Sequence, residues 1–105
     1  MSKSELRRLD REIRKTAAKL EAVQRGEWWP LTRRERLSMT RALASGARSV
    51  HQGRSTTGAE NRMDSIESSI TARLNAELTA LHGEKQRLIT EAAREKAAKK
   101  SSGWW

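Results

Sequence analysis

Six arginines between residues 33 and 54 are the side chains of this 105-residue chain whose type and spacing suit chemistry with a partner. Arg34, Arg41 and Arg48 recur at intervals of seven, so on a helix turning about 100° per residue they share one face, roughly 10 Å apart. Ser38, Ser45 and Gln52 fall on the same line, with Met39, Leu43, Ala47 and Val50 nearly opposite, and Arg33, Arg36 and Arg54 flank the strip. A guanidinium presents a planar fork of N–H donors that matches two phosphate oxygens, and short serines between such forks let a sugar-phosphate backbone come close. Residues 31–54 hold six basic side chains and one acidic, against eight and five in 1–30 and eight and seven in 55–105, so they carry +5 of the formal +9. The pattern reads as a nucleic-acid-binding strip, for DNA or RNA, made of Arg33, Arg34, Arg36, Arg41, Arg48 and Arg54. An acidic protein surface is the other partner that such a face fits.

The four tryptophans are the only aromatic residues and come as two pairs, Trp28-Trp29 and Trp104-Trp105. An indole combines a large apolar area with one polar handle, which suits interfaces. Trp28 and Trp29, next to Pro30, are expected to plug the end of a helical seam where the chain turns, with stacking on bases or on a partner as the functional alternative. Trp104 and Trp105 follow the polar run Lys99-Lys100-Ser101-Ser102-Gly103. They read either as an anchor for a protein partner or second copy, or as a tail that folds back. All four are candidate partner contacts.

No arrangement for catalysis stands out. His51 and His82 fall on different predicted helices, and with no cysteine in the chain they provide neither a metal site nor a redox centre. Glu77, Glu84 and Glu91 recur every seven residues, which predicts ion pairs between helices rather than acid/base work. Gly53 and Gly58 lack the strand and lysine that a phosphate loop requires. The reading is a protein that is not an enzyme and takes no cofactor, metal or small-molecule substrate. The first fifteen residues carry a charge every two or three positions, so neither a secretion signal nor a membrane contact is expected and the location is read as cytoplasmic.

The elements that must position these residues follow from composition. Ala, Glu, Lys, Leu and Arg fill 57 of the 105 positions, whereas Leu, Ile, Val and Phe fill 16. So little apolar bulk suits long helices sharing narrow seams, in a single domain spanning 1–105. Leu6, Leu9, Ile13, Thr16, Leu20 and Val23 alternate steps of three and four, predicting a first helix over about 4–25, with a capping box at Ser2 and Glu5 and a stop at Gly26. Pro30 breaks the helix, and Thr32 with Glu35 forms a second capping box that opens a helix over about 33–52, weakened by Gly46. After a loop at 53–58, Met63, Ile66, Ile70, Leu74, Leu78, Leu81, Leu88 and Ala92 predict a third helix over about 60–99, followed by a flexible tail at 100–105. Gly83 within it marks either a bend or a close backbone contact.

The fold class is therefore all-α: an antiparallel helical hairpin or coiled coil whose long C-terminal helix faces a broken first arm. In that arrangement the second helix lies along 63–81 and the first along 81–92. A small three-helix bundle with the third helix protruding is the alternative. Seams this narrow also predict association into a homodimer.

Overall fold

The structure, a computed structural model, describes residues 3–102. It contains three helices, α1 (Lys3–Gln24), α2 (Arg33–His51) and α3 (Thr57–Ser102), and no strand among the described residues. The fold is all-α and elongated, 84 × 19 × 19 Å. α1 and α2 both lie against α3 and do not run along each other, which is the broken-arm hairpin and not the three-helix bundle.

Both arms run antiparallel to α3. In the first, Asp10 meets Lys85 and Arg8 meets Glu84, while Val23, thirteen residues further on, joins Ile70 and Leu74 in the core. In the second, Glu35 meets Arg73 and Gly46 lies against Ala59. α2 therefore covers Ala59–Arg73, one to two turns nearer the start of α3 than 63–81, and α1 begins its cover at about Ile70, about three turns nearer than 81. The cause is an overlap: the end of α1 and the start of α2 share one level of α3, where Val23, Leu31, Met39, Ile70 and Leu74 form the main core with Leu20, Trp28, Met63 and Ile66 against it.

The chain ends its first two helices in the same way. At Gly26 (φ +81°) the N–H of Gly26 donates to Val23 O and that of Glu27 to Ala22 O. At Gly53 (φ +71°) the N–H of Gly53 donates to Val50 O and that of Arg54 to Ser49 O. These are Schellman closures, and glycine supplies the left-handed backbone without a Cβ penalty. α2 starts with the expected capping box: the Glu35 N–H donates to Thr32 Oγ1 at 3.2 Å and the Thr32 N–H donates to Glu35 Oε1 at 2.8 Å. Ser2, the other predicted cap, lies outside the described residues. α3 begins at Thr57 rather than 60 and continues to Ser102, so Lys100, Ser101 and Ser102 are helical rather than tail.

The apolar stripes of α1 and α3 are as the spacing predicts: all six named positions of α1 and all eight of α3 are buried or half-buried. α2 departs. Met39 is buried, but Leu43 and Val50 are 47% and 64% exposed and Ala47 is exposed. Its inward arc is Glu35, Ser38, Met39, Ala42, Ser45, Gly46 and Ser49. A Cβ built on Gly46 would lie 3.2 Å from Ala59 Cβ, so small residues bring α2 onto α3 more closely than leucines would permit. Gly46 is thus the contact point of the arm, while α3 runs unbroken through Gly83, where a Cβ would meet nothing within 4 Å.

Candidate nucleic-acid interface

The rotation of α2 decides where its arginines lie. With Ala42, Gly46 and Ser49 turned inward, Arg34, Arg41 and Arg48 sit about 100° round from the contact arc, beside α3 rather than opposite it. Arg41 lines an open cleft of about 480 Å³ between α2 and α3, with Ser38 from its own helix and Asn61, Arg62 and Ser65 from α3. Ala42 and Ile66 form its apolar floor. Arg62 and its neighbours went unread in the sequence. Their signal is the Arg62, Ser65, Ser69 spacing, a polar line along one flank of a stripe otherwise read for its apolar members.

The predicted arginines separate into two groups. Arg33, Arg34, Arg41, Arg48 and Arg54 are exposed and form no ion pair among the described residues. Arg36 departs from the strip: it faces the other flank, and its Nε and Nη2 donate to the carbonyls of Trp28 and Trp29 at 3.4 and 3.3 Å, closing the turn at Pro30. Its place is structural: it supplies a donor to the Trp29 carbonyl and a second one to the Trp28 carbonyl, which already accepts from the Leu31 N–H at 3.1 Å.

Elsewhere five cations are matched: Arg8, Arg25, Arg73, Lys85 and Arg87 each meet a carboxylate. Arg73 grips Glu35 through two bonds, Nε to Oε2 at 2.9 Å and Nη2 to Oε1 at 2.8 Å, and reaches Glu77 Oε1 at 3.1 Å. Partial burial pushes the Glu35 carboxyl up, but the bonds from Arg73 and Thr32 outweigh it and hold the group below the ordinary glutamate range, while the Glu35 bond pushes Arg73 up. Lys85 sits 2.6 Å from Asp10 and, through that hydrogen bond, holds its carboxyl low. Of the three glutamates at sevenfold spacing, Glu84 pairs across helices with Arg8 at 3.9 Å. Glu77 and Glu91 instead pair within α3, with Arg73 and Arg87 four residues before them, because a partner one turn away on the same helix is nearer than any on a neighbour.

Trp28 is half-buried on the core, as expected of a plug. Trp29 is 51% exposed, its indole N–H donating to Glu27 Oε1 at 3.3 Å, so it is available to a partner. Trp104 and Trp105 lie outside the described residues. His51 and His82 are both exposed, on α2 and α3 respectively. No described helix is long and apolar enough to cross a membrane.

What this arrangement can do chemically is hold an anion: unpaired guanidiniums line one flank of α2, and a cleft without any carboxylate in its lining opens beside them. The chain matches no protein-family model, no curated protein and no solved structure.

Proposed function

We propose that this protein is a small, non-enzymatic accessory protein of the cytoplasm that binds nucleic acid along α2, with Arg34, Arg41 and Arg48 on phosphates and Arg33 and Arg54 alongside. The observation that carries the reading is that five exposed arginines without an ion-pair partner among the described residues gather between 33 and 54, a stretch whose one carboxylate, Glu35, is held by Arg73. An unpaired guanidinium keeps its full complement of donors for a phosphate and releases counterions when it binds one. The test is a salt titration of binding to mixed-sequence DNA and RNA. Three neutralised phosphates give a log–log slope of about −2 to −3. Replacing Arg34, Arg41 and Arg48 together by Gln flattens it, and unchanged binding by that variant refutes the reading.

A second reading, an adaptor for another protein or a second copy, is favoured by Trp29, Leu37, Leu43 and Val50, all 47–64% exposed. The helical seam is filled by the chain's own arms, so a protein partner would meet the outer side of α2 and Trp29, with Trp104 and Trp105 as further anchors. Its affinity would follow the Trp29→Ala and Val50→Ser substitutions more than salt. Sedimentation at tens of micromolar decides the homodimer: a fully helical monomer excludes it.

A further inference from the structure

Two clefts of ligand size among the described residues have linings opposite in charge. One, of about 640 Å³ beside the end of α1, is lined by Asp64 and Glu67. The other, the α2/α3 cleft of about 480 Å³, has Arg41 on one wall and Arg62 on the other. Both arginines are exposed, and neither has an ion-pair partner among the described residues. Ser38, Ser65 and Asn61 add neutral donors to the rim, and Ala42 and Ile66 give the floor an apolar patch. A surface that merely brushes phosphates has no use for such a floor. A ligand that fills the cleft must join an anion to a flat or apolar body, within the range of about 300–1,000 Å³ typical of ligand clefts.

We propose that the α2/α3 cleft takes one nucleotide of a single strand, its phosphate between Arg41 and Arg62 and its sugar and base edge on Ala42 and Ile66. This rests on the nucleic-acid reading above and narrows it to strands that are not paired. The selectivity is geometric. Packed helices stand about 8–10 Å apart at their axes, so the groove between them admits one backbone with its attached sugar. In a duplex the bases are stacked and paired inward, so only the sugar-phosphate backbone reaches the rim. An unpaired strand can turn its base outward as well and gains the apolar floor. Charge adds to this: Arg62 supplies a second grip from α3, opposite the α2 strip, and no carboxylate in the cleft opposes it.

The test is fluorescence anisotropy with a labelled mixed-sequence DNA strand, the RNA of the same sequence, and the DNA duplex, at matched low salt. Two variants bracket the cleft. Arg62→Gln removes the second guanidinium, and Ser65→Phe fills the space while leaving both arginines in place. Residues 62 and 65 are exposed on α3, and helicity by circular dichroism verifies that each variant is folded. The expected result is tighter binding of the single strands than of the duplex. Arg62→Gln should weaken single-strand binding about tenfold or more and lower its salt slope by about 0.7. Ser65→Phe should weaken it without changing that slope, and both should leave duplex binding within about twofold. Single-strand binding unmoved by either variant, or duplex binding as tight as single-strand binding, overturns the inference. If the duplex still responds to the Arg34, Arg41 and Arg48 replacements, the broader nucleic-acid reading survives that loss. No binding of any strand at low salt removes both. A difference between the DNA and RNA strands identifies which of them the floor prefers.

Discussion

The two halves of this hairpin use the same helix as a platform and hold their arms to it by different means. Where α1 lies on α3, wide side chains alternate along the seam: Leu9 is fully buried, Leu6, Ile13 and Leu20 are half-buried, and the rims carry the exposed pairs Arg8–Glu84 and Asp10–Lys85. Where α2 lies on α3, Ala42, Ser45, Gly46 and Ala59 let the helices close in, and one partly buried pair, Arg73–Glu35, locks the register. The difference teaches how a chain poor in leucine separates tasks. The leucine seam spends its apolar residues inside and leaves paired charges outside. The small-residue seam needs almost none of its own apolar residues inside, so Leu37, Leu43 and Val50 stand outside, and the cleft that holds Arg41 beside the contact has no carboxylate in its lining.

The deepest break in this comparison is expected at the joint between the halves. Leu74 is 0% exposed and belongs to the core that α1, α2 and the turn share. Leu74→Ala should therefore destabilise by about 2–5 kcal/mol, a large part of the roughly 5–15 kcal/mol available to a small domain. Both arms should open together in urea melts followed by circular dichroism. Leu9, also 0% exposed, lies in the α1 half alone, so hydrogen exchange in Leu9→Ala should quicken in α1 and leave α2 protected. Equal loss of protection in both arms would show that the halves are one cooperative unit.

A more local break tests the small-residue seam. With Ala59 Cβ 3.2 Å from the place where a Gly46 Cβ would be, Gly46→Leu must force three further carbons between two backbones. Overpacking of this kind costs about 3 kcal/mol, the upper part of its usual range, despite leucine's better helix propensity. A thermal midpoint at or above that of the parent protein would mean that α2 does not close onto α3 at this point.

Glu35 ties the α2 half together at its other end, accepting from the Thr32 N–H and from two nitrogens of Arg73. Glu35→Ala removes the side-chain half of the capping box and leaves Arg73 with Glu77 alone, at an expected cost of about 2 kcal/mol. Glu35→Gln keeps an acceptor for the Thr32 N–H but loses the charge and, because its amide nitrogen donates, one of the two Arg73 bonds, so it should cost less than alanine. The pH dependence follows from the lowered carboxyl. A group whose folded pKa lies below its ordinary value of 4.5 stabilises the fold above that value and ceases to do so as pH falls through the folded one. The gap between the parent protein and Glu35→Gln should be full at neutral pH, narrow below about pH 4.5 and close in stronger acid. A gap that stays constant from pH 7 to strong acid would show that the pair's charge contributes nothing.

How much of this was legible in the sequence depended on what carried the signal. In α1 and α3 the seam residues are large and apolar, so their three-four spacing gave the buried faces and, with Gly26, Pro30, Thr32 and Glu35, the boundaries to within three residues. In α2 the seam is written in Ala, Ser and Gly, residues that hydropathy does not distinguish from surface, and the leucines pointed the wrong way. Reading the face from Met39, Leu43, Ala47 and Val50 set it about 100° from where it lies. The error hid the cleft: an arginine assigned to the far side of α2 has no neighbour on α3, whereas Arg41 at its flank shares a cleft with Arg62. The axial register was lost for a related reason. Nothing in residues 25–32 states that the arms overlap at one level of α3, since the overlap is made by Trp28 and Leu31 folding back onto Val23, Met39 and Ile70.

The smallest expected effect separates the halves most cleanly, because it inverts the sign of the Gly46 result with the same residue type. Gly83 lies in the α1 half, within α3, where nothing lies within 4 Å of an added Cβ and the backbone is ordinary helix. Alanine there should remove unfolded-state freedom without meeting a neighbour, stabilising by about 0.5–1 kcal/mol. The readout is a rise of a few degrees in the thermal midpoint, with unchanged binding to nucleic acid, since Gly83 is remote from Arg41 and Arg62 along α3. If Gly83→Ala instead lowers the midpoint, α3 bends or is contacted at that point, and the leucine half is held more tightly than its exposed glycine implies. If it raises the midpoint while Gly46→Leu lowers it, glycine marks contact in one half of the hairpin and only weakness in the other.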